Sequence, residues 1–281
     1  MRCDCHVHIV GPADRYPQVP ERTYLAGEAP VETLKRLGAT RGISRFVIVQ
    51  PSFYGADNSA TLDALDALGG QGRGVAVIDP KTTLPDTLDA YHQRGVRGLR
   101  LNLYSPIKAP GGDTLDVAFA ATVAAARMMR WHVQVIAPLP VLLANLNVLA
   151  EAPVPVVIDH YGLYNNARPD SANGRRLLDL VHLQHVWMKL SAPYRHDRGP
   201  LNTKPDREWL AALIAAAPGR CVWGSDWPHP PAHEQQKGAS LAAPYRALSY
   251  EALVDDFLAA LPSDDLTERI MSENPERLYG F

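Results

Sequence analysis

Short apolar runs alternate with longer amphipathic stretches along almost the whole chain. The apolar runs are rich in β-branched residues and often stop at Pro or Gly, which is typical of buried strands. The longer stretches repeat their apolar residues at helical spacing. We predict eight strands, at residues 1–10, 45–50, 74–78, 98–103, 132–136, 156–160, 186–190 and 221–225. We predict helices at residues 31–38, 59–68, 84–94, 115–130, 141–150, 171–183, 206–217, 250–261 and 264–273.

This regular alternation favours βαβ units and therefore a parallel sheet. Eight such units within 281 residues fit one α/β domain, a (β/α)8 TIM barrel, which typically needs about 250 residues. A doubly wound open sheet is the alternative. No internal repeat or linker divides the chain, so we expect a single domain over residues 1–281.

Composition narrows the class of protein. Hydrophobic residues make up 46% of the chain and charged residues 21%, which indicates a globular protein with a large core. The net charge of -2 predicts neither a nucleic-acid nor a membrane partner. No apolar run is long enough to span a bilayer, and the start lacks a signal-peptide pattern. Three cysteines without CxxC spacing predict buried, reduced thiols and a cytoplasmic location, and the oligomeric state stays open.

Polar residues end most of the predicted strands. In a barrel, the carboxyl ends of the strands and the loops after them carry the catalytic groups. So many polar strand ends predict a catalytic site there and not a purely structural role. The residues concerned are His6, His8, Gln50, Ser52, Arg100, Asn102, His132, Gln134, Asp159, His160, Lys189, Ser191, Tyr194, Arg195 and Asp226.

His6 and His8 form a His-x-His pair on the first strand. Strand alternation predicts that Asp4 shares their face and that Cys3 and Cys5 lie on the other. Two imidazoles held side by side can bind a metal or polarise a carbonyl. Taken alone, the pair is weak evidence, because a surface strand explains it more readily.

Three further residues have structural alternatives. His160 could be a core histidine, and Asp226, before Trp-Pro, could cap a helix. Arg100 lies in an apolar strand, so it either pairs with an acidic residue or binds an anionic ligand. We expect the remaining histidines outside strands to lie at the surface, namely His92, His182, His185, His196, His229 and His233.

Three motifs in order resemble the amidohydrolase superfamily: D-C-H-V-H at residues 4–8, I-D-H-Y-G at 158–162 and G-S-D-W-P-H at 224–229. The combination is similar to its amidohydrolase-related branch, which contains 2-pyrone-4,6-dicarboxylate lactonase. That closer resemblance rests on the opening at residues 4–12, on Tyr24, on Q-P-S at 50–52 and on G-L-R-L-N at 98–102.

The resemblance implies a barrel hydrolase that opens a small lactone. It implies Asp226 as the general base, with His6, His8 and His160 polarising the carbonyl without a metal. The alternative is one divalent metal, most simply zinc, held by the same four residues. No Lys or Glu ends strand five and no His ends strand seven, which argues against a binuclear site.

The substrate expected from the resemblance is a carboxylated lactone. Arg100 and Arg195 would hold its carboxylate, while Tyr24, Ser52 and Gln134 would make lesser contacts. Leu163 and Tyr164 stand where the lactonase family favours arginine, so one carboxylate fits better than two. Lys108 could supply a further positive charge. A zinc-dependent hydrolase or decarboxylase and a sugar-acid lactone isomerase remain alternatives, whereas a non-catalytic carboxylate-binding barrel would not need this constellation.

Overall fold

A computed structural model describes residues 1–104, 115–196, 199–231 and 241–281, with the side chains of residues 115 and 116 left out. Eight parallel strands form one sheet in which each strand pairs with the next along the chain. They are β1 (Arg2–Val7), β2 (Ile43–Val49), β3 (Gly72–Ala76), β4 (Val96–Asn102), β5 (His132–Ile136), β6 (Val156–Ile158), β7 (Val186–Ser191) and β8 (Cys221–Gly224).

The sheet closes where β8 meets β1. The Asp226 N–H donates to His6 O and the His8 N–H donates to Trp227 O, both at 2.8 Å. Gly224 permits this approach, because a Cβ atom there would lie 2.6 Å from the Cβ of His6. The predicted (β/α)8 barrel is therefore confirmed, and the open sheet is excluded.

Helices follow the strands on the outside. They are α1 (Val31–Ala39), α2 (Ser59–Leu68), α3 (Pro85–Gln93), α4 (Leu115–Met129), α5 (Leu139–Ala144), α6 (Leu146–Ala150), α7 (Ala172–His182), α8 (Arg207–Ala216), α9 (Tyr250–Ala260), α10 (Asp264–Glu268) and α11 (Asn274–Tyr279). The single helix predicted over 141–150 is wrong, since Asn145 separates α5 from α6. A π-helical turn, Arg269–Glu273, joins α10 to α11.

The strands separate two hydrophobic layers. Their outer side chains pack against the helices in one large cluster. A smaller cluster brings together residues from six strands, which is possible only inside a barrel. Cys3 and Cys5 belong to this inner cluster and Tyr279 of α11 packs against it, so the C-terminal helix plugs the amino-terminal end of the barrel. All three cysteines are buried and free, as predicted.

A β-bulge in β1 decides which way its side chains point. Asp4 pairs with Phe46 and Val7 pairs with Ile48, so three steps along β1 match two along β2. Such an extra residue reverses the alternation, and His6 faces inward. The Asp4 carboxylate instead accepts a hydrogen bond from the Tyr250 hydroxyl of α9, at 3.1 Å. The prediction that Asp4 shares the face of the two histidines is therefore wrong.

Among the described helices, none combines the length and the apolar character needed to cross a membrane.

Candidate active site

Asp226 lies just beyond β8 and at the centre of the site. Its backbone adopts a left-handed conformation, with φ of 59°, and its side chain is completely buried. The oxygen Oδ2 accepts hydrogen bonds from the Tyr194 hydroxyl at 2.7 Å and from Arg195 Nε at 2.8 Å, with Arg195 Nη2 at 2.7 Å. The other oxygen, Oδ1, has no hydrogen-bond partner among the described residues. Asp226 is therefore held through one oxygen while the other stays available.

Two histidines of β1 and its extension face that available oxygen. His6 Nε2 lies 3.5 Å and His8 Nε2 lies 3.3 Å from Asp226 Oδ1. His8 Nδ1 lies 2.7 Å from the carbonyl oxygen of Val49, at the end of β2. A carbonyl oxygen only accepts, so His8 donates from Nδ1. The neighbouring strand thus fixes the ring of His8.

His160 completes the set of histidines predicted to act together. It follows β6 with φ of 50°, and its ring centroid lies 4.7 Å from that of His6. Nδ1 lies 2.8 Å from the Ser191 hydroxyl at the end of β7, whereas Nε2 is buried with no partner among the described residues. Left-handed φ values at both His160 and Asp226 place unusual backbone at this site, where such strain commonly concentrates.

A second buried network lies beside the histidines. Gln134 was predicted to contact the substrate, and Asp159 and Lys189 were predicted only as polar strand ends. The Lys189 ammonium donates to Gln134 Oε1 at 2.6 Å, and Gln134 Nε2 donates to Asp159 Oδ2 at 2.9 Å. Asp159 Oδ1 lies 3.4 Å from both Lys189 Nζ and His6 Nδ1. The signal in the sequence was a lysine inside the apolar strand V-W-M-K-L-S.

Burial and charge set the protonation of these groups. Burial raises the pKa of Asp226, but Arg195 and the neighbouring histidines outweigh it, so the pKa lies well below the usual range. Burial raises the pKa of Asp159, and Lys189 and His6 reverse that shift in the same way. Burial lowers the pKa of His6 to about 3. Near neutral pH, both carboxylates are ionised and His6 is neutral.

A small cavity opens beside His8 and carries both predicted arginines. Its lining residues are His8, Tyr24, Pro51, Ser52, Arg100, Asn102, Tyr104, Ile136, Arg195 and Pro230. Arg100 Nη1 donates to the Gln50 carbonyl at 2.8 Å, while Arg100 Nε is buried with no partner among the described residues. Arg195 faces Asp226, as described above. Arg100 therefore has donor capacity left for a ligand.

The remaining predicted contacts divide between this cavity and other places. Tyr24 and Ser52 line the cavity. Gln134 is bonded to Asp159 and Lys189 inside the barrel. His132 packs its ring 5.2 Å from that of Tyr279, at the plugged end of the barrel and away from the site. Lys108 lies outside the described residues.

Two histidines expected at the surface are buried. His196 stacks on Tyr164 with ring centroids 3.8 Å apart. His229 lies three residues beyond Asp226 with only 3% of its surface exposed, and its ring lies 6.0 Å from that of Tyr194. Both follow strands β7 and β8 within a few residues, so the loops fold their rings inward. His233 lies outside the described residues.

Comparison with known proteins places this constellation in a family. The sequence model described as Amidohydrolase matches residues 3–281. The chain belongs to the amidohydrolase family.

Curated relatives align with nearly the whole chain. A 4-sulfomuconolactone hydrolase from Hydrogenophaga intermedia is 30% identical over 279 residues, covering 99% of this chain and 88% of the relative. A protein from Comamonas testosteroni named 2-pyrone-4,6-dicarbaxylate hydrolase is 30% identical over 294 residues, covering 98% and 89%. A D-galactarolactone isomerase from Agrobacterium fabrum is 29% identical, covering 98% and 90%.

The fold is also similar to solved structures. The crystal structure of an Agrobacterium tumefaciens protein in its apo form superposes with a TM-score of 0.80 at 27% identity, covering 100% of this chain and 96% of that one.

Proposed function

We propose that this amidohydrolase is a hydrolase that opens a small carboxylated lactone. The observation that carries the proposal is the Oδ1 atom of Asp226, buried, ionised and facing His6 and His8 beside a cavity that holds Arg100. A positioned proton acceptor next to an anion-binding cation is what attack of water on a carboxylated cyclic ester requires. Relatives named as lactone hydrolases support the reaction class.

Each residue of the site has a role that follows from its position. Arg100 binds the substrate carboxylate through its remaining donors, because a buried guanidinium favours a charged acceptor. Tyr24 and Ser52 contact the rest of the substrate along the cavity wall. Tyr194 and Arg195 hold Oδ2 of Asp226, so that Oδ1 takes the proton from the attacking water.

The ring nitrogens bear on whether a metal takes part. With Nδ1 donating to Val49, a neutral His8 ring carries a lone pair on Nε2, which faces Asp226 Oδ1 at 3.3 Å. A neutral His6 ring has only one N–H, but two carboxylate oxygens face its nitrogens. Asp159 Oδ1 lies 3.4 Å from Nδ1, and Asp226 Oδ1 lies 3.5 Å from Nε2. In each ring, one nitrogen lone pair therefore faces a carboxylate oxygen. A cation bound between the nitrogen and the oxygen would be attracted to both atoms.

This arrangement fits one divalent ion. His6, His8 and Asp226 would hold it, with ligand atoms that lie within 4.8 Å of one another, and His160 lies next to them. Asp226 Oδ1 has two lone pairs, so it could ligate the ion with one and accept the proton of the water with the other. Metal-binding histidines usually donate their second N–H to a carboxylate or carbonyl, as the His8 ring does to Val49. When bound, such an ion supplies a water of lowered pKa and polarises a carbonyl. We therefore favour one zinc ion over the metal-free form that the sequence analysis preferred.

An isomerase acting on a sugar-acid lactone is the second candidate. The relative named D-galactarolactone isomerase favours it. The same proton acceptor would serve, but the product would be another lactone and no acid would be released. Product analysis therefore separates the two activities.

The test is a panel of carboxylated lactones assayed with a pH indicator, on protein whose metal content has been measured. Steady release of one proton per lactone opened supports the proposal, and conversion without acid release supports the isomerase. Absence of turnover with every lactone, on folded protein loaded with zinc, contradicts both. Release of carbon dioxide from a carboxylated aromatic acid would instead identify a decarboxylase.

A further inference from the structure

We propose that Asp159 is a positioning residue for His6, and that Lys189 and Gln134 hold its carboxylate in place. This inference rests on the proposed function of the site, because it explains how one of its histidines is oriented. Asp159, Lys189 and Gln134 lie on or directly after three neighbouring strands, β6, β7 and β5, and all three are completely buried.

Both oxygens of Asp159 are engaged. Gln134 Nε2 donates to Oδ2 at 2.9 Å, and the Lys189 ammonium lies 3.4 Å from Oδ1. Lys189 also donates to Gln134 Oε1 at 2.6 Å, so the three side chains form a closed triangle. The carboxylate is thus held at both oxygens, by one hydrogen bond and one ion pair, and it cannot rotate without breaking one of them. Its Oδ1 atom, which has no hydrogen-bond partner among the described residues, therefore faces His6 Nδ1 as an available acceptor, 3.4 Å away.

The fixed acceptor has a consequence for His6. An ionised carboxylate only accepts, so the contact at 3.4 Å favours the tautomer of His6 with the proton on Nδ1, and a cation bound at Nε2 would favour the same tautomer. The lone pair then lies on Nε2, which faces Asp226 Oδ1 at 3.5 Å. His6 is thereby prepared to bind a cation or accept a proton at Nε2.

Lys189 also supplies the positive charge that this arrangement needs. His6 stands between two buried carboxylates, Asp159 and Asp226. Arg195 balances Asp226, and Lys189 balances Asp159. The ammonium also stands beside the second group of ligating side chains, His6, Asp159 and His160, where a second metal would otherwise bind. The triangle therefore favours a site for a single ion.

A buried ion pair can also serve stability alone, and two combined variants separate these roles. Q134M/D159L/K189M replaces the whole triangle by apolar side chains of similar size, which often preserves stability. D159N/K189M removes both charges but keeps an acceptor oxygen opposite His6 and a partner for Gln134. Lys204→Met, at an exposed lysine, is the matched control.

Three quantities are measured for each variant: the thermal midpoint, kcat and KM for a lactone, and zinc affinity in competition with a chelator. For the triple variant we expect a folded protein with kcat and zinc affinity each lowered about 10- to 100-fold and KM nearly unchanged. We expect K204M to stay within about threefold of the parent enzyme, and we expect D159N/K189M, which keeps the acceptor oxygen, to retain more kcat and zinc affinity than the triple variant. A loss of this size in metal affinity is typical of outer-sphere partners.

Two results would overturn the inference. The first is a folded triple variant with the kcat and zinc affinity of the parent enzyme, which would leave the triangle a purely structural role. The second is a D159N/K189M variant as impaired as the triple variant, because the acceptor oxygen would then not matter.

A spectroscopic measurement on the unmodified protein covers the case of a triple variant that does not fold. ¹⁵N chemical shifts of His6, assigned by comparison with His6→Asn, should report a protonated Nδ1 and an unprotonated Nε2. The opposite tautomer contradicts the inference. Neither the shifts nor the zinc affinity requires a lactone, so a failed lactone panel would disprove the proposed function and leave this inference to be judged separately.

Discussion

Arg195 binds Asp226 through two nitrogens that converge on one carboxylate oxygen, Oδ2, at 2.8 Å and 2.7 Å. A guanidinium usually spreads over both oxygens of a carboxylate. Arg41 does this at the surface, where it contacts the two oxygens of Asp255 separately. The one-sided contact at Asp226 keeps Oδ1 turned towards the histidines.

Replacing Asp226 by Asn should lower kcat by at least about 10³-fold, because the side chain loses the acceptor for the proton of water. Arg195 would also lose its buried partner, so we expect a lower thermal midpoint in a protein that still folds. Initial rates and circular dichroism measure the two effects. Asp255→Asn, which breaks the surface pair, is the control and should leave kcat unchanged. A D226N enzyme with more than a tenth of the parent kcat would contradict the assignment.

Replacing Arg100 by Met should raise KM about 10- to 100-fold with little change in kcat. Hydrogen bonds to a charged group contribute roughly 1.5 to 3 kcal/mol, and those to the substrate carboxylate would be lost. The matched control is Arg97→Met, three residues earlier on the same strand, where the side chain bonds backbone carbonyl groups. A neutral amide analogue of the substrate should bind the parent enzyme as weakly as the acid binds R100M. An unchanged KM would place the carboxylate elsewhere.

Removal of metal tests the expected zinc ion directly. Protein purified without chelator should contain about one zinc per chain, since a catalytic zinc site uses about three protein ligands and keeps an open position. Dialysis against a chelator should abolish lactone hydrolysis, and added zinc should restore it. Metal analysis and rates on the same samples provide the measurement. Full activity at negligible metal content would instead support the metal-free mechanism.

His132 should make the protein less stable in acid. Burial lowers its pKa to about 3 in the folded state, from an ordinary value of 6.5. The unfolded chain therefore binds the extra proton first, and the stability provided by the neutral ring is lost as pH falls from 6.5 towards 3. Between pH 6.5 and pH 5 this contribution is about 2 kcal/mol.

The variant His132→Leu removes that titration. Urea unfolding of both proteins at several pH values should show a shallower loss of stability in acid for H132L. Other buried histidines give both proteins a common slope, so the difference between the two curves isolates this ring. Parallel curves would contradict the prediction, because they would mean that His132 binds protons equally in the folded and unfolded states.

The resemblance and the strand ends predicted several of the residues that meet at the site, although His132 from the same prediction lies elsewhere. Apolar runs are local signals, and the carboxyl ends of parallel strands must lie at one end of a barrel, so His6, His160 and Asp226 could be expected together. The direction in which individual side chains point could not be predicted from the sequence. Asp4 and His6 face opposite sides of the sheet because of a single-residue bulge, and a bulge depends on the pairing of two strands.

The sequence also could not predict which side chains would pair with each other. A sequence shows that Arg195 follows strand seven, but not that its fork faces Asp226, since the contact joins residues 31 positions apart. Lys189 was visible as a charge in an apolar strand, yet its partners come from two other strands. Buried His196 and His229 were taken for surface residues because loop sequences carry no periodic pattern that reports burial.

The sequence by itself determined the order of strands and helices, the barrel and the family motifs, because hydrophobic periodicity and short motifs are local properties of the chain. The tertiary structure alone decided which carboxylate oxygen is free, which nitrogen of His8 donates, and which cation balances each buried carboxylate. These features depend on distances of about 3 Å between distant segments, at which hydrogen bonds and ion pairs form.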